Sequence, residues 1–182
     1  DEAPRILQAV EDCGATITHI LATHAHLDHV GAVAPVKRAL GVPFGLHRAD
    51  FDLLAVLPER GAVFGVQGLE VPEVEIDLAE VTSIPLGAEE IRVIPTPGHT
   101  PGGVTFLWGD QGFFGDSLFR MSVGRTDLGG DAQVYARTLR ETILGLPDET
   151  IVYTGHGPDT TIGVERRENP FLNGTISVDG SA

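Results

Sequence analysis

Three of the seven histidines in this 182-residue chain fall within six consecutive residues, together with an aspartate. The run directly follows residues 16–22, whose β-branched and apolar side chains predict a strand. At this composition such a spacing would arise by chance in about one chain in a thousand. Imidazole nitrogens and carboxylate oxygens are the ligands that zinc and related divalent ions prefer. The run therefore predicts a metal site at the end of a strand, with the ligands His24, His26, Asp28 and His29.

The composition argues against two classes of partner. The net charge is −14, and the 12 Lys and Arg residues that could neutralise nucleic-acid phosphates are scattered along the chain. No apolar run in the sequence approaches the roughly 18 residues that a membrane span requires. The single cysteine, Cys13, cannot form an internal disulfide or a cysteine metal cage, and it favours a reducing compartment. We therefore expect a cytoplasmic protein that binds neither nucleic acid nor membranes.

Predicted helices and strands alternate along the chain, which is typical of the α/β class. The predicted helices cover residues 4–12, 30–40, 50–57, 131–146 and 163–169, and the predicted strands cover 16–22, 42–46, 91–95, 104–108, 112–115 and 151–154. Asp50 and Asp131 are the expected N-caps of their helices. Residues 58–82 are rich in glycine, proline and acidic residues, and they predict a long irregular segment.

Three further side chains share the setting of the first cluster. His99, Asp116 and His156 each follow a predicted strand and lie beside glycine or proline. Glycine lets the backbone turn tightly, so a ligand at such a position can be directed into a cleft. Taken singly, each of these residues is more typical of a turn than of a metal site. Their order after the histidine-rich run makes them candidate ligands.

This order of residues resembles the metallo-β-lactamase superfamily, whose fold is an αββα sandwich of two sheets between helices. The resemblance extends from about residue 16 to about residue 172. It implies two divalent metals, zinc foremost, with iron or manganese as alternatives. By this resemblance His24, His26 and His99 hold one metal, Asp28, His29 and His156 hold the other, and Asp116 bridges them. The family begins with strands that are missing here, so we expect an N-terminally incomplete single domain over residues 1–182, with a disordered tail at 173–182.

Three stretches resemble the hydroxyacylglutathione hydrolase (glyoxalase II) branch of the superfamily. They are residues 97–102, residues 115–119 with 124–127, and residues 155–158 with 165–172. Asp116 stands where β-lactamases of this fold typically carry cysteine, which argues against antibiotic hydrolysis. Arg125 and Asp127 occupy the neighbourhood where glyoxalase II holds glutathione with a lysine and a tyrosine, and the chain stops soon after residue 172, before the helical domain of the larger members. The resemblance therefore favours a short, single-domain, glyoxalase II-like branch.

The resemblance implies hydrolysis of a small thioester, such as an S-2-hydroxyacylglutathione, by a hydroxide shared between the two metals. Asp28 and Asp116 are the candidate catalytic residues, first as metal ligands, and Asp28 is also a candidate for orienting the hydroxide. The thiolate needs no dedicated proton donor to leave, because the pKa of a thiol is about 8.5. Arg125 is the candidate for binding a substrate carboxylate, since its guanidinium suits bidentate pairing. A surface salt bridge is the alternative role for this arginine.

Two other functions stay open at the level of the sequence. Residues 124–127 also resemble persulfide dioxygenases, which use a single iron. A metal-binding domain without catalytic activity is the second alternative, because the strands expected before the first helix are missing. The unpaired sheet edge that their absence would leave favours a homo-oligomer.

Overall fold

The computed structural model describes residues 2–178 and has the predicted α/β architecture, with two sheets and flanking helices. The chain divides into two compact units, Asp1–Leu78 and Ala79–Ala182. Each unit has its own sheet and its own hydrophobic core. The single domain expected over residues 1–182 stays a prediction. Within residues 2–178, none of the helices has the length and apolar character that crossing a membrane requires.

The first unit is built on a short parallel sheet. Its elements are α1 (Ala3–Cys13), β1 (Ile20–Leu21), α2 (Leu27–Val30), α3 (Val33–Leu40), β2 (Phe44–Leu46), α4 (Phe51–Ala55), α5 (Leu57–Val63) and β3 (Ile76–Asp77), with a 3-10 turn at Arg48–Asp50. The strands run in the order β1-β2-β3. Phe44 and Leu46 of the central strand are fully buried, as the middle of a parallel sheet requires.

The structure confirms the first predicted helix as α1 and corrects several other predictions for this unit, including the helix expected over residues 50–57, which is divided between α4 and α5. The strand expected over residues 16–22 is reduced to Ile20–Leu21, because the short strand β2 pairs with these two residues alone. The helix expected over residues 30–40 is divided between α2 and α3 at Gly31. The segment 58–82 is not irregular throughout. Pro58 lies in the first turn of α5, a position that favours proline, and β3 pairs with β2.

The second unit is built on a six-stranded mixed sheet. Its elements are β4 (Ser83–Leu86), β5 (Glu89–Pro95), β6 (Val104–Trp108), β7 (Gln111–Gly115), α6 (Ala132–Glu141), β8 (Ile151–Thr154), β9 (Thr160–Thr161) and α7 (Ile162–Glu168), with a 3-10 turn at Ile143–Gly145. The strands follow one another in sequence order across the sheet. Neighbouring strands are antiparallel except β7 and β8, which are parallel and are joined by a crossover that contains α6.

Helix α6 packs its apolar face into the core of the second unit. Its N-cap is Asp131, as predicted, and one carboxylate oxygen of Asp131 accepts hydrogen bonds from the backbone N–H groups of Gln133 and Val134. Tyr135 and Leu139 are buried on the face that contacts the core. The α-helix ends at Glu141 rather than at residue 146, because the chain tightens into the 3-10 turn before Pro147.

The end of the described chain contacts the core of the second unit. The backbone N–H of Ile176 donates to the carbonyl oxygen of Pro170 at 2.8 Å, and Val178 packs against the apolar core. These contacts do not measure order, so the disordered tail expected over residues 173–182 stays a prediction. Residues 179–182 of that prediction lie outside the described residues.

Candidate metal centre

The first candidate cluster lies where β1 leads into the one-turn helix α2. His26 is the N-cap of α2, and Asp28 and His29 lie within its single turn. His24 and His26 are buried, with relative exposures of 2% and 7%. The ring centroid of His24 lies 4.9 Å from that of His26 and 4.0 Å from that of His29. The four predicted ligands of this run are therefore brought together by one strand-to-helix turn, and the Oδ2 atom of Asp28 lies 3.6 Å from the Nε2 atom of His29.

The buried carboxylate of Asp50 accepts a hydrogen bond from the backbone of this turn. The backbone N–H of Ala25, between the first two histidines, donates to the Oδ2 atom of Asp50 at 3.0 Å. Asp50 occupies the N-cap position of α4, as predicted, but its side chain makes no capping hydrogen bond to that helix. Asp50 is fully buried, and its contact with a residue 25 positions earlier in the chain explains why a carboxylate is tolerated there.

The second candidate cluster lies in the second unit, around the Asp116 carboxylate. Its Oδ2 atom lies 3.4 Å from the Nε2 atom of His99 and 3.8 Å from the Nε2 atom of His156. Two ligands of a tetrahedral zinc ion, each bonded at 2.0–2.1 Å, lie about 3.4 Å apart. His99 and Asp116 are buried, whereas about half of the His156 side chain is exposed. The separations and the donor types therefore fit ligands of a divalent metal.

The pairing of β7 with β8 accounts for the closeness of Asp116 and His156. Gly115 at the end of β7 is opposite Thr154 at the end of β8, and the backbone N–H of Gly155 donates to the carbonyl oxygen of Gly115 at 2.7 Å. Because the two strands are parallel, the residues that follow them emerge at the same edge of the sheet. The ring of Phe119 packs edge-on against the ring of His156, with centroids 5.9 Å apart.

The orientation of His99 is fixed by a backbone carbonyl. Its Nδ1 atom lies 2.6 Å from the carbonyl oxygen of Arg125. A carbonyl oxygen only accepts, so Nδ1 carries the proton in this contact, and Nε2 keeps the lone pair that a metal needs. This second contact is the one that metal-ligating histidines usually make, and it supports the assignment of His99 as a ligand.

The side chain of Arg125 is directed elsewhere. Its guanidinium forms a bidentate pair with the exposed carboxylate of Asp127, two residues on. The hydrogen bond and the charge of Arg125 lower the pKa of Asp127 below its usual value, and Asp127 raises the pKa of Arg125 in turn. This pair is the surface salt bridge that the sequence analysis gave as the alternative role of Arg125. The binding of a substrate carboxylate by Arg125 stays a prediction.

The sequence did not reveal Tyr135 as a residue of the site. Its position on the apolar face of α6 indicates a core residue, and it is indeed fully buried. Its hydroxyl, however, contacts the backbone of Asp116, and burial raises the pKa of the phenol, so this group remains a hydrogen-bond donor at neutral pH. No sequence pattern in one chain separates such a tyrosine from an ordinary core aromatic residue.

A sequence model of the metallo-beta-lactamase superfamily matches residues 1–156. The chain is also 37% identical over 178 residues to hydroxyacylglutathione hydrolase GloC of Haemophilus influenzae, covering 94% of this chain and 84% of GloC. With its fold, these matches establish that the chain belongs to the metallo-β-lactamase superfamily, as its sequence order predicted. Within that superfamily it is a member of the metallo-hydrolase class, and its candidate metal ligands are His24, His26, Asp28, His29, His99, Asp116 and His156.

Two solved structures show the same fold at similar identity. The structure of the BLEG-1 B3 metallo-beta-lactamase has a TM-score of 0.86 and 37% identity, and the match covers 94% of this chain and 84% of that one. The structure of TTHA1623 in a di-iron-bound form has a TM-score of 0.84 and 41% identity, with 94% and 86% of the two chains covered. The predicted metallo-β-lactamase fold is thereby confirmed.

Proposed function

We propose that this protein is a metal-dependent hydrolase of small thioesters such as S-2-hydroxyacylglutathiones. The observation that carries the proposal is the Asp116 carboxylate, one oxygen of which faces the Nε2 atoms of both His99 and His156. An oxygen in that position is suited to be shared between two cations. The similarity to GloC, which is named as a hydroxyacylglutathione hydrolase, supports the choice of substrate class.

The proposed centre would take two divalent metals. By the family resemblance, His24, His26 and His99 would hold one metal, Asp28, His29 and His156 would hold the other, and Asp116 would be a ligand of both. We propose zinc, since three imidazoles form a ligand set that zinc favours. Iron and manganese accept the same ligands, and the di-iron form of the similar protein TTHA1623 supports testing iron with equal care.

The chemistry divides between the metals and the side chains. When bound, a pair of divalent cations supplies Lewis acidity that brings the pKa of water toward about 7. Asp116 would be a ligand shared by the two metals, and it directly follows the last residue of β7. Asp28 is about half exposed, so it is the carboxylate placed to contact a water molecule from solvent as well as a metal. The departing thiolate needs no protein acid, since its conjugate acid has a pKa of about 8.5.

Arg125 is proposed as the residue that binds a substrate carboxylate, by exchanging Asp127 for that group. The exchange is feasible because both side chains are largely exposed, and exposed ion pairs contribute only about 0–1 kcal/mol. Replacing Arg125 with alanine should raise KM for an acidic thioester and leave KM for a neutral thioester unchanged. Arg140→Ala, at an exposed position on α6, is the matched control. Equal KM changes for both thioesters would contradict the role.

The proposed activity is tested with protein that is stripped by a chelator and reloaded with zinc, iron or manganese. Thiol release from S-lactoylglutathione and a panel of other thioesters should appear on reloading and disappear when chelator is added again. Elemental analysis should find about two ions per chain. Thiol release that is independent of metal would contradict the proposal. One iron per chain with oxygen uptake on a persulfide would favour a dioxygenase, and bound metal without thiol release would favour an inactive domain.

The hydrolysis of β-lactams is a second candidate activity. It is favoured by the similarity to the BLEG-1 B3 metallo-beta-lactamase, and it is opposed by the sequence argument that Asp116 stands in place of cysteine. A chromogenic β-lactam in the same panel decides between them. We expect the thioester to be the better substrate by at least about a hundredfold in kcat/KM, a difference of about 2.7 kcal/mol. A better rate with the β-lactam would reverse the assignment.

The remaining expectations concern the state of the protein in the cell. We propose that it acts in the cytoplasm on a small molecule, without nucleic acid or membrane partners, and that it forms a homo-oligomer. Fractionation of the source cells tests the first expectation. Light scattering of the purified full chain tests the last, and a monomeric mass at micromolar concentration would contradict it.

A further inference from the structure

We propose that Tyr135 is a positioning residue that holds the His99 and Asp116 turns in the arrangement that binds metal. The inference rests on the proposed metal-dependent function and deepens it. All of the contacts that support it lie within the second unit. It assigns a role in the site to a residue that touches none of the reacting atoms.

The hydroxyl of Tyr135 ties together two backbone segments of the site. It donates to the carbonyl oxygens of Asp116 and Ser117, both at 3.0 Å, and it accepts from the backbone N–H of Gly124, also at 3.0 Å. One segment carries the candidate bridging carboxylate. The other leads directly into Arg125. The two segments are also joined directly, because the backbone N–H of Gly124 lies 3.1 Å from the carbonyl oxygen of Asp116, and the buried hydroxyl reinforces that link from both sides.

The Gly124 segment passes this constraint on to His99. The carbonyl oxygen of the next residue, Arg125, receives the Nδ1 proton of His99 at 2.6 Å. At Gly124 there is no space for a side chain, because a Cβ atom would lie 2.7 Å from that same Nδ1 atom and 2.3 Å from the carbonyl oxygen of Asp116. The hydroxyl of Tyr135 therefore contacts the Gly124 segment, and the Gly124 segment contacts the imidazole of His99.

The ring of Tyr135 contacts the turn before His99 as well. Gly98 has a φ of +141°, and a Cβ atom there would lie 2.3 Å from the Cβ atom of Tyr135. Helix α6 makes two further contacts with this turn. The backbone N–H of Asp131 donates to the carbonyl oxygen of Gly98 at 2.8 Å, and the hydroxyl of Thr138 donates to that of Pro97 at 2.6 Å. The side chain of Tyr135 thus lies against both ligand turns, the one before His99 and the one that carries Asp116.

A purely structural role predicts a different behaviour. A tyrosine that only fills the core can lose its hydroxyl with a fall in stability and no change at the metal ligands. A positioning tyrosine also changes the affinity for metal, because displaced ligands bind less well. Removing a hydrogen bond that orients a metal ligand, without touching the metal itself, typically weakens metal binding by about 10- to 100-fold.

The test compares Tyr135→Phe with Tyr153→Phe, a substitution at the other of the two tyrosines of the chain. The Tyr153 hydroxyl donates to the Oε1 atom of Gln111 at 3.1 Å, so both variants lose one buried or half-buried hydrogen-bonding hydroxyl. The readouts are the zinc affinity of the full chain, from competition with a chromophoric chelator, the visible absorption of the cobalt-loaded protein, and the Tm of the metal-free protein.

We expect Tyr135→Phe to weaken zinc binding by about 10- to 100-fold and to change the cobalt spectrum, with Tyr153→Phe like the wild type in both. Wild-type affinity and spectrum in Tyr135→Phe, even with a lower Tm, would overturn the inference. If Tyr135→Phe does not fold, Thr138→Val takes its place, with an expected loss of about tenfold, the lower end of the same range. A folded Thr138→Val protein with wild-type metal binding would then overturn it.

The outcomes for the inference and for the proposed function are separate. A wild-type protein that binds zinc and shows the Tyr135 effect, yet hydrolyses no thioester of the panel, supports the inference and contradicts the proposed substrate. A wild-type protein that binds no metal overturns both. A wild-type thioester hydrolase whose metal binding is the same in Tyr135→Phe retains the function and loses the inference.

Discussion

The two groups of candidate ligands are built in different ways. His24, His26, Asp28 and His29 lie within a single strand-to-helix turn, so their spacing depends on a few backbone dihedral angles of one segment. The other three lie at residues 99, 116 and 156, after three different strands of the second sheet. Their spacing depends on sheet register and on the packing of the loops. The first group is a local property of the sequence, and the second is a property of the folded sheet.

This difference indicates where each group is vulnerable. The first group is supported by a buried acceptor, Asp50, which holds the backbone between two of its histidines. The second group is supported by many contacts on the same helix, α6, and by glycines that leave no room for a side chain. Substitutions of supporting residues should therefore destabilise the second group more than the first, and the predictions for Gly98 and Asp50 test that expectation.

The largest effect is expected at Asp116, which faces both histidines of the second group. Asp116→Ala should lower kcat/KM for the thioester by about a thousandfold or more, because several kcal/mol of transition-state stabilisation depend on the intact centre. Steady-state kinetics and elemental analysis of the reloaded protein measure the loss. Asp110→Ala, in the exposed turn between β6 and β7, is the control. Activity near that of the wild type would remove Asp116 from the centre.

The next effect concerns the tight turn before His99. Gly98→Ala should lower the free energy of unfolding by about 3 kcal/mol, since the new methyl group would overlap with Tyr135 and the backbone is in a conformation that alanine rarely adopts. Gly109→Ala is the matched control, with a φ of +60° and no atom within 4 Å of the added Cβ, and it should cost about 1 kcal/mol. Urea unfolding of the metal-free variants compares them. Equal losses would mean that backbone strain, not overlap with Tyr135, decides the effect.

The corresponding change in the first group is expected to be smaller. Asp50→Ala removes the acceptor of the buried Ala25 N–H group and should destabilise the protein by about 2 kcal/mol. Asp52→Ala, exposed on α4, should change the free energy of unfolding by less than about 0.5 kcal/mol. Denaturant titrations give both values. If Asp50→Ala lost more unfolding free energy than Gly98→Ala, the first group would be the more sensitive to its supporting residues, which contradicts the expectation.

The smallest effect is a dependence on pH in the sheet of the first unit. The hydrogen bond from Lys37 is the main cause that lowers the pKa of Glu75 below 4.5, with a second bond from the backbone N–H of Phe44. Because the folded pKa is the lower one, this stabilisation is present above pH 4.5 and is lost as the pH falls through the folded pKa. Glu75→Gln should therefore flatten the decline of the unfolding free energy below pH 4.5. Glu73→Gln serves as the charge-matched control, and an unchanged slope in Glu75→Gln would contradict the assignment.

The sequence alone was sufficient for the class of fold and for the superfamily, whereas the metal-binding role of the local group stays a prediction. A dense run of histidines after an apolar strand is detectable from composition and spacing, and its order relative to Asp116 led to the superfamily that the comparisons confirm. The cap at Asp131 was also predictable, because capping depends on residues within one turn. Assignments that depend on neighbours in sequence therefore succeeded.

The assignments that failed or were incomplete depend on distant partners. Asp50 has the residue type and position of a helix cap, but its carboxylate accepts from Ala25 instead. The prediction that Tyr135 lies on the apolar face of its helix is confirmed, but only the fold brings its hydroxyl to the backbone of Asp116. The strand at residues 16–22 is shortened by the limited length of its partner, which is not encoded in the strand itself. Each error arises where long-range pairing overrides a local preference.

The parallel pairing of β7 with β8 has a consequence for the evolution of such a site. Main-chain hydrogen bonds, which every residue except proline can donate, set the gap between Asp116 and His156. Mutation can therefore exchange most side chains along these two strands while the gap is kept. An insertion or deletion within either strand would shift one ligand past the other. Length, more than identity, is the quantity that selection has to conserve there.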